Sequence, residues 1–145
     1  LNNELTDFSF RSHADGVPIA NRVEPGKRPR SSMAPTIVLK DGKPVLAVGS
    51  PGGSRIIGFV AKTIIAWIDW GIDVQQAVSL PHAVNRFGTY DLEDATQAAD
   101  LAAPLQAMGF EVKLREINSG VHAIAIGDRL QGAADPRREG IAIGE

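Results

Sequence analysis

Gly49-Ser50-Pro51-Gly52-Gly53-Ser54-Arg55 separates a short apolar run, Pro44-Val45-Leu46-Ala47-Val48, from a longer one extending from Ile56 to Trp70. The pattern reads as a strand that ends in small residues and turns directly into a helix. The first N–H groups of a helix have no partner inside it, and the helix dipole adds partial positive charge there. Paired glycines let a ligand approach the backbone and tolerate unusual φ/ψ. Such a turn suits a phosphate, a carboxylate, or the oxyanion that develops during acyl transfer. The same composition also serves a tight strand-to-helix turn that needs glycine for geometry alone.

Upstream, Thr36-Ile37-Val38-Leu39 and the run to Val48 flank Asp41-Gly42, a hairpin turn signal. Two strands of similar length joined by a tight turn have adjacent outer ends. Ser31 and Ser32 are therefore expected beside Gly52 and Gly53. Residues 11–30 hold Gly16, Pro18, Pro25, Gly26 and Pro29 among several arginines, which is loop composition. Asn2 and Asn3 suggest a turn after a strand lying further upstream. Glu4 and Asp7 are spaced to share one side of a single helical turn.

Downstream, Arg55–Trp70 is apolar on more than one face, as in a largely buried helix, and Gly71 stops it. Asp73 is placed to cap a short helix over Val74–Leu80, ended by Pro81. Residues 82–91 read as irregular, with His82 a surface or packing residue rather than a ligand. Asp94–Met108 reads as a helix interrupted or bent near Pro104, and Phe110–Arg115 as a strand. Val121–Ile126 and Asp128–Ala133 form a second hairpin around Gly127-Asp128, and the tail from Asp135 is loop-like. Hairpin, helices, hairpin implies an α+β fold, a sheet covered by helices, in one domain over 1–145 without internal repeats.

At 145 residues, 43% hydrophobic and 22% charged, the chain has the composition of a single globular domain. A net charge of −2 gives no reason to expect nucleic acid or an anionic membrane as partner. The absence of Cys rules out disulfides, thiolate catalysis and Cys-based zinc sites. No run reaches the length of a membrane span. The chain opens on Leu1 rather than Met, without a signal-peptide pattern, and looks begun in the middle of something.

Glu4 and Asp7 are suited to hold an ammonium group, or else form a solvated acidic turn. Ser31 and Ser32 can donate to a carboxylate, or else mark entry into a strand. His13, His82 and His122 are scattered, with no metal spacing and no Ser–His–Asp triad to be built from them. The three pairs converge on one chemistry. An acidic pair for an amine, a hydroxyl pair for a carboxylate and a glycine pair for an oxyanion would hold an α-amino acid head group and polarise an acyl carbon.

The strings Leu1-Asn2-Asn3-Glu4-Leu5-Thr6-Asp7-Phe8-Ser9, Lys27-Arg28-Pro29-Arg30-Ser31-Ser32-Met33-Ala34-Pro35-Thr36, Gly49-Ser50-Pro51-Gly52-Gly53-Ser54-Arg55-Ile56-Ile57 and Gly132-Ala133-Ala134-Asp135-Pro136-Arg137 closely resemble the γ-glutamyltranspeptidase family, in the family's order and across nearly the whole chain. The resemblance implies an N-terminal-nucleophile hydrolase fold, an αββα sandwich, here partial. It implies the C-terminal portion of a small subunit, without the nucleophile strand and the large subunit. The implied reaction moves a γ-glutamyl group from glutathione or a similar donor to an amino-acid or peptide acceptor, or to water, with no cofactor or metal. Glu4 and Asp7 would then bind the α-ammonium, Ser31 and Ser32 the α-carboxylate, and the N–H groups of Gly52 and Gly53 would form the oxyanion hole. The nucleophile is the Thr that heads the family's small subunit; Leu1 cannot replace it.

Further expectations follow from the same resemblance. The partners are the large subunit and the upstream part of the small subunit, and the location is periplasmic or secreted. The loop at 11–26 looks shorter than in the family and carries Asn21 where many members have an aromatic lid residue; Glu145 stands where many end in an aromatic. Alternatives are a non-catalytic amino-acid or anion-binding domain and a cephalosporin-acylase-like amidase. The Glu4/Asp7 and Ser31/Ser32 pairs argue against the amidase, since a glutaryl group has no α-amine to hold.

Overall fold

A computed structural model describes residues 3–144; Leu1, Asn2 and Glu145, and with them the Asn2 part of the expected turn, lie outside the described residues. The chain divides into two compact units, residues 1–32 and 33–145. In the first, Glu4–Asp7 forms one turn of 3-10 helix, as the spacing predicts. The N–H and the hydroxyl of Thr6 both donate to the Asn3 carbonyl, at 3.3 and 2.8 Å. Two short strands follow, β1 (His13–Ala14) and β2 (Val17–Pro18). Asp15 and Gly16 join them with φ of 50° and 77°, the paired positive values of a type I′ turn.

The second unit begins with the expected hairpin, β3 (Thr36–Lys40) and β4 (Lys43–Gly49). Asp41 and Gly42 turn it with φ of 52° and 76°. Its register sets Thr36 opposite Val48. Helix α1 (Ile56–Ile68) and helix α2 (Val74–Ser79) come next, then β5 (Ala83–Arg86) and β6 (Thr89–Glu93). A 3-10 turn, Gln97–Leu101, leads into α3 (Ala102–Ala107), β7 (Glu111–Arg115), β8 (His122–Ile126) and β9 (Leu130–Ala134). One sheet has the order β3-β4-β8-β9, all antiparallel, so the second hairpin extends the first. The other is β5-β6-β7, with β6 and β7 parallel.

Three expectations need correction. Residues 82–91 are not irregular but carry β5 and most of β6. Their turn places Phe87 at φ 51°, a conformation a bulky residue rarely adopts, and Asp91 and Glu93 are buried carboxylates that disguise an inward-facing strand. Helix α1 buries a single stripe, Ile56, Phe59, Val60, Thr63 and Ala66, and leaves Ile57 58% and Ile68 50% exposed. The helix expected from Asp94 starts late: Thr96 caps the 3-10 turn, and Pro104 sits in the first turn of α3, where its missing N–H leaves nothing unpaired. Asp73 caps α2 as expected, its Oδ1 accepting from the N–H groups of Gln75 and Gln76 at 2.8 and 3.3 Å.

Leu46, Val48, Phe59, Val60, Val74, Val78, Val84 and Val121 form the core between the four-stranded sheet and the helices. Full burial of a side chain such as Phe59 contributes about 2–3 kcal/mol. On the sheet's other face Ile37, Leu39, Ile124 and Leu130 are exposed. A groove of about 800 Å³ runs there, bordered by the tail residues Ile141–Ile143. An apolar sheet face is what a second sheet layer covers in a sandwich.

Candidate functional site

Strand β4 ends at Gly49, and the chain turns through Gly52 (φ 134°, ψ 14°) and Gly53 (φ 61°) into the 3-10 turn Gly53–Arg55, which runs on into α1. These values favour glycine. At position 52 a Cβ would also fall 2.8 Å from Cε2 of Phe59, so sterics and backbone both exclude a side chain. At position 53 a Cβ would meet nothing within 4 Å. No hydrogen bond among the described residues uses the N–H of Gly52 or Gly53. Two adjacent donors at a strand-to-helix turn are therefore available to an anion.

Both ends of this loop are clamped. The Ser50 hydroxyl donates to the Pro51 carbonyl at 2.6 Å and accepts from the Gly120 N–H at 3.3 Å. Gly120 packs so closely that a Cβ would lie 2.7 Å from Cγ of Pro51. At the other end Nε and Nη2 of Arg55 both donate to Oδ2 of Asp91, at 2.9 and 2.7 Å.

In the first unit Glu4 and Asp7 are half-buried on their 3-10 turn, Ser32 is half-buried and Ser31 exposed. Asn21 links the two ends of this unit, a role the sequence did not reveal. Its Nδ2 donates to the Asp7 carbonyl at 2.6 Å, its Oδ1 accepts from the Arg30 N–H at 2.8 Å, and its own carbonyl accepts from the Ser9 N–H at 2.9 Å. The acidic turn and the segment entering Ser31 are thus tied to one side chain. Arg22 and Lys27 both pair with Glu24 and hold its carboxyl below the usual range, chiefly through hydrogen bonding from Lys27 and then Arg22.

A second cluster lies buried under α1 and α2. Nε of Arg137 donates to Oε1 of Glu93 at 2.6 Å and its Nη2 to Oε2 at 2.8 Å, a two-pronged pair. Its Nη1 reaches Oδ1 of Asp135 at 3.1 Å, and Nη2 also donates to the Leu80 carbonyl at 3.0 Å. Burial opposes the Arg137 charge, yet Glu93 and Asp135 hold its pKa above the ordinary value. Burial likewise pushes Asp135 up, but bonds from Ser119 and from the Arg137 and Val121 N–H groups outweigh it and lower its pKa.

His82 completes the cluster, fully buried against the Phe59 ring at a centroid distance of 4.2 Å. The Ser119 hydroxyl donates to Asp135 Oδ2 at 2.5 Å and lies 2.8 Å from His82 Nε2. Ser119 must therefore accept from His82, which carries its proton on Nε2 and leaves Nδ1 without a partner. Burial, with the charges of Lys62 and Arg137, lowers the His82 pKa to about 3. Serine, histidine and aspartate do meet here, in an order that directs the serine proton away from the imidazole. This is a packing network rather than a nucleophile, and His82 is the packing residue expected. Lys62, donating to the Leu80 carbonyl at 2.6 Å, is lowered to about 8 by burial and by Arg137. Among the described residues no group of three or more His, Asp or Glu side chains could hold a metal, and no helix is long and apolar enough to cross a membrane.

The mixed architecture of antiparallel sheet and helices is the N-terminal-nucleophile hydrolase fold of solved γ-glutamyltranspeptidases. The chain belongs to the γ-glutamyltranspeptidase family, whose model matches residues 1–145. It is 43% identical to a glutathione hydrolase proenzyme of Bacillus subtilis (strain 168) over 99% of its own length and 24% of the relative's. With the glutathione hydrolase proenzyme of Escherichia coli (strain K12) it shares 40% identity over 94% of its length and 25% of the relative's. A crystal structure of a T380A mutant of Helicobacter pylori γ-glutamyltranspeptidase superposes with a TM-score of 0.81 at 37% identity, covering 95% of this chain and 81% of that one. The chain thus spans about a quarter of the length of these curated relatives.

Proposed function

We propose that this chain is the C-terminal part of the small subunit of a γ-glutamyltransferase/glutathione hydrolase, a single domain in its assembled form, exported to the periplasm or outside the cell. The observation that carries the reading is the pair of acceptor-free N–H groups at Gly52 and Gly53, fixed by positive φ at the start of α1. Glu4 and Asp7 bind the α-ammonium of the donor's γ-glutamyl group, and Ser31 and Ser32 its α-carboxylate. A threonine outside this chain attacks the γ-carbonyl carbon. The carbonyl electron pair moves onto oxygen, and Gly52 and Gly53 donate to the resulting oxyanion. Collapse of the tetrahedral species expels the donor's amine, which takes up a proton, and leaves a γ-glutamyl ester. Water or an acceptor amine then repeats the addition and releases the threonine. One oxyanion donor of this kind contributes on the order of 3 kcal/mol to lowering the barrier.

The test is release of p-nitroaniline from γ-glutamyl-p-nitroanilide by the full-length protein that carries this chain, with and without an added dipeptide acceptor. Turnover that Glu4→Gln and Ser32→Ala slow through KM supports the reading. Absence of turnover, or turnover of a glutaryl amide in its place, overturns it.

A further inference from the structure

We propose that Asp91 is a positioning residue for the oxyanion-binding amides, a role that rests on the reading of Gly52 and Gly53 above. Consecutive glycines with positive φ have little intrinsic preference for one peptide orientation, so something outside the pair must select it. Gly52 is packed against Phe59, and the Ser50 end is bound to Gly120. The remaining freedom is at the far end, and Arg55 closes it. Arg55 is the last residue of the 3-10 turn that Gly53 opens, and the next N–H, that of Ile56, donates back to the Gly53 carbonyl. The Gly53–Ile56 turn therefore moves as a unit, and its side-chain anchor is the pair of hydrogen bonds that Arg55 donates to Oδ2 of Asp91.

Asp91 is placed to be a rigid anchor. It lies on β6, 3% exposed, with its other oxygen, Oδ1, held at 2.8 Å by Nε of Arg115 from β7. A third guanidinium, that of Arg86 on β5, stands 3.8 Å from Oδ2. All three strands of the smaller sheet thus supply a group to the clamp, and the glycine turn is fastened to that sheet as well as to its own helix. A carboxylate held from both sides has one available direction, and Arg55 inherits it. The sequence gives no sign of this, because Arg55 and Asp91 are far apart in the chain and Asp91 sits in a stretch that reads as irregular.

The experiment uses the full-length protein and two ligands that differ only in whether they mimic the tetrahedral species: a boronic-acid analogue of the γ-glutamyl group, and glutamate. For Asp91→Asn the expected result is a kcat lower by about 30-fold, less than the roughly 100- to 1000-fold of an oxyanion donor removed outright, with KM within about twofold. Boronate affinity should fall by a similar factor while glutamate affinity holds, and Asp91→Glu should recover part of both. If Asp91→Asn fails to fold, Arg55→Lys, which keeps the charge but cannot make the paired hydrogen bonds of the guanidinium, is read in the same way. Unchanged kcat and boronate affinity, or equal loss for boronate and glutamate, overturns the role of Asp91. Absence of turnover in the unaltered protein overturns instead the reading of the site on which this inference rests.

Discussion

The glycine loop and the buried network beneath α1 and α2 handle polar groups in opposite ways. Around Arg137 almost every donor and acceptor is matched: Glu93, Asp135, Ser119 and the carbonyl of Leu80 each have a partner. At Gly52 and Gly53 two amides are held by a positive-φ backbone and left without protein acceptors among the described residues. A satisfied network in low dielectric specifies one packing, and a partner lost from it leaves a buried charge. Donors left open at a helix start bond to water and are available to a ligand. Polarity that is fully paired belongs to stability here; polarity kept open is, on the proposed reading, what chemistry uses.

The sharpest way to break this contrast is Arg137→Ala. It strands Glu93 and Asp135 in a buried site, and chemical denaturation should show a loss of about 3–5 kcal/mol or failure to fold. Next comes Gly52→Ala in the full-length protein. The new Cβ meets Phe59, and the amide turns from its direction, so kcat should fall by about 100-fold or more, alongside a stability loss of about 2–4 kcal/mol from the clash and the positive φ. If the folded variant keeps its kcat, the division between the two regions fails.

The third effect is pH dependence. The folded protein holds the pKa of His82 at about 3, below its ordinary 6.5, so below 6.5 the unfolded chain takes up a proton that the fold refuses. The His82 contribution is complete above that value and should fall with acidity by up to about 1.4 kcal/mol per pH unit. Between 6.5 and 4 His82 acts apart from Asp135, whose pKa is lowered from 3.8 and whose contribution is lost only at lower pH. Denaturation midpoints of His82→Gln, which can still donate to Ser119, should lose this slope.

Smaller changes sharpen the comparison. Gly53→Ala meets no neighbour and should cost about 1 kcal/mol for its positive φ, with activity kept within a few-fold; a loss like that of Gly52→Ala would show that both glycines are sterically required. Asp73→Ala removes the α2 cap, distant in role from both regions, and should lower thermal stability by about 1 kcal/mol with no effect on kcat.

Local chemistry made much of this molecule readable in advance. Asp41-Gly42 turns its hairpin, Asp73 caps its helix, and the glycine pair takes the positive φ that its composition advertised. Those features depend on neighbours a few residues apart, and short-range sterics are written directly in the order of residues. The strands at 83–93 escaped such reading because their inward carboxylates, Asp91 and Glu93, are tolerated only by arginines brought from Arg55, Arg115 and Arg137. Asn21 escaped for the same cause, its bonds to Asp7 and Arg30 closing a loop that no window spans. By itself the sequence determined the family, the hairpins and the glycine turn. Only the tertiary structure decided which charges could be buried and what holds the turn still, because the energy of a buried charge is set by partners distant in the chain.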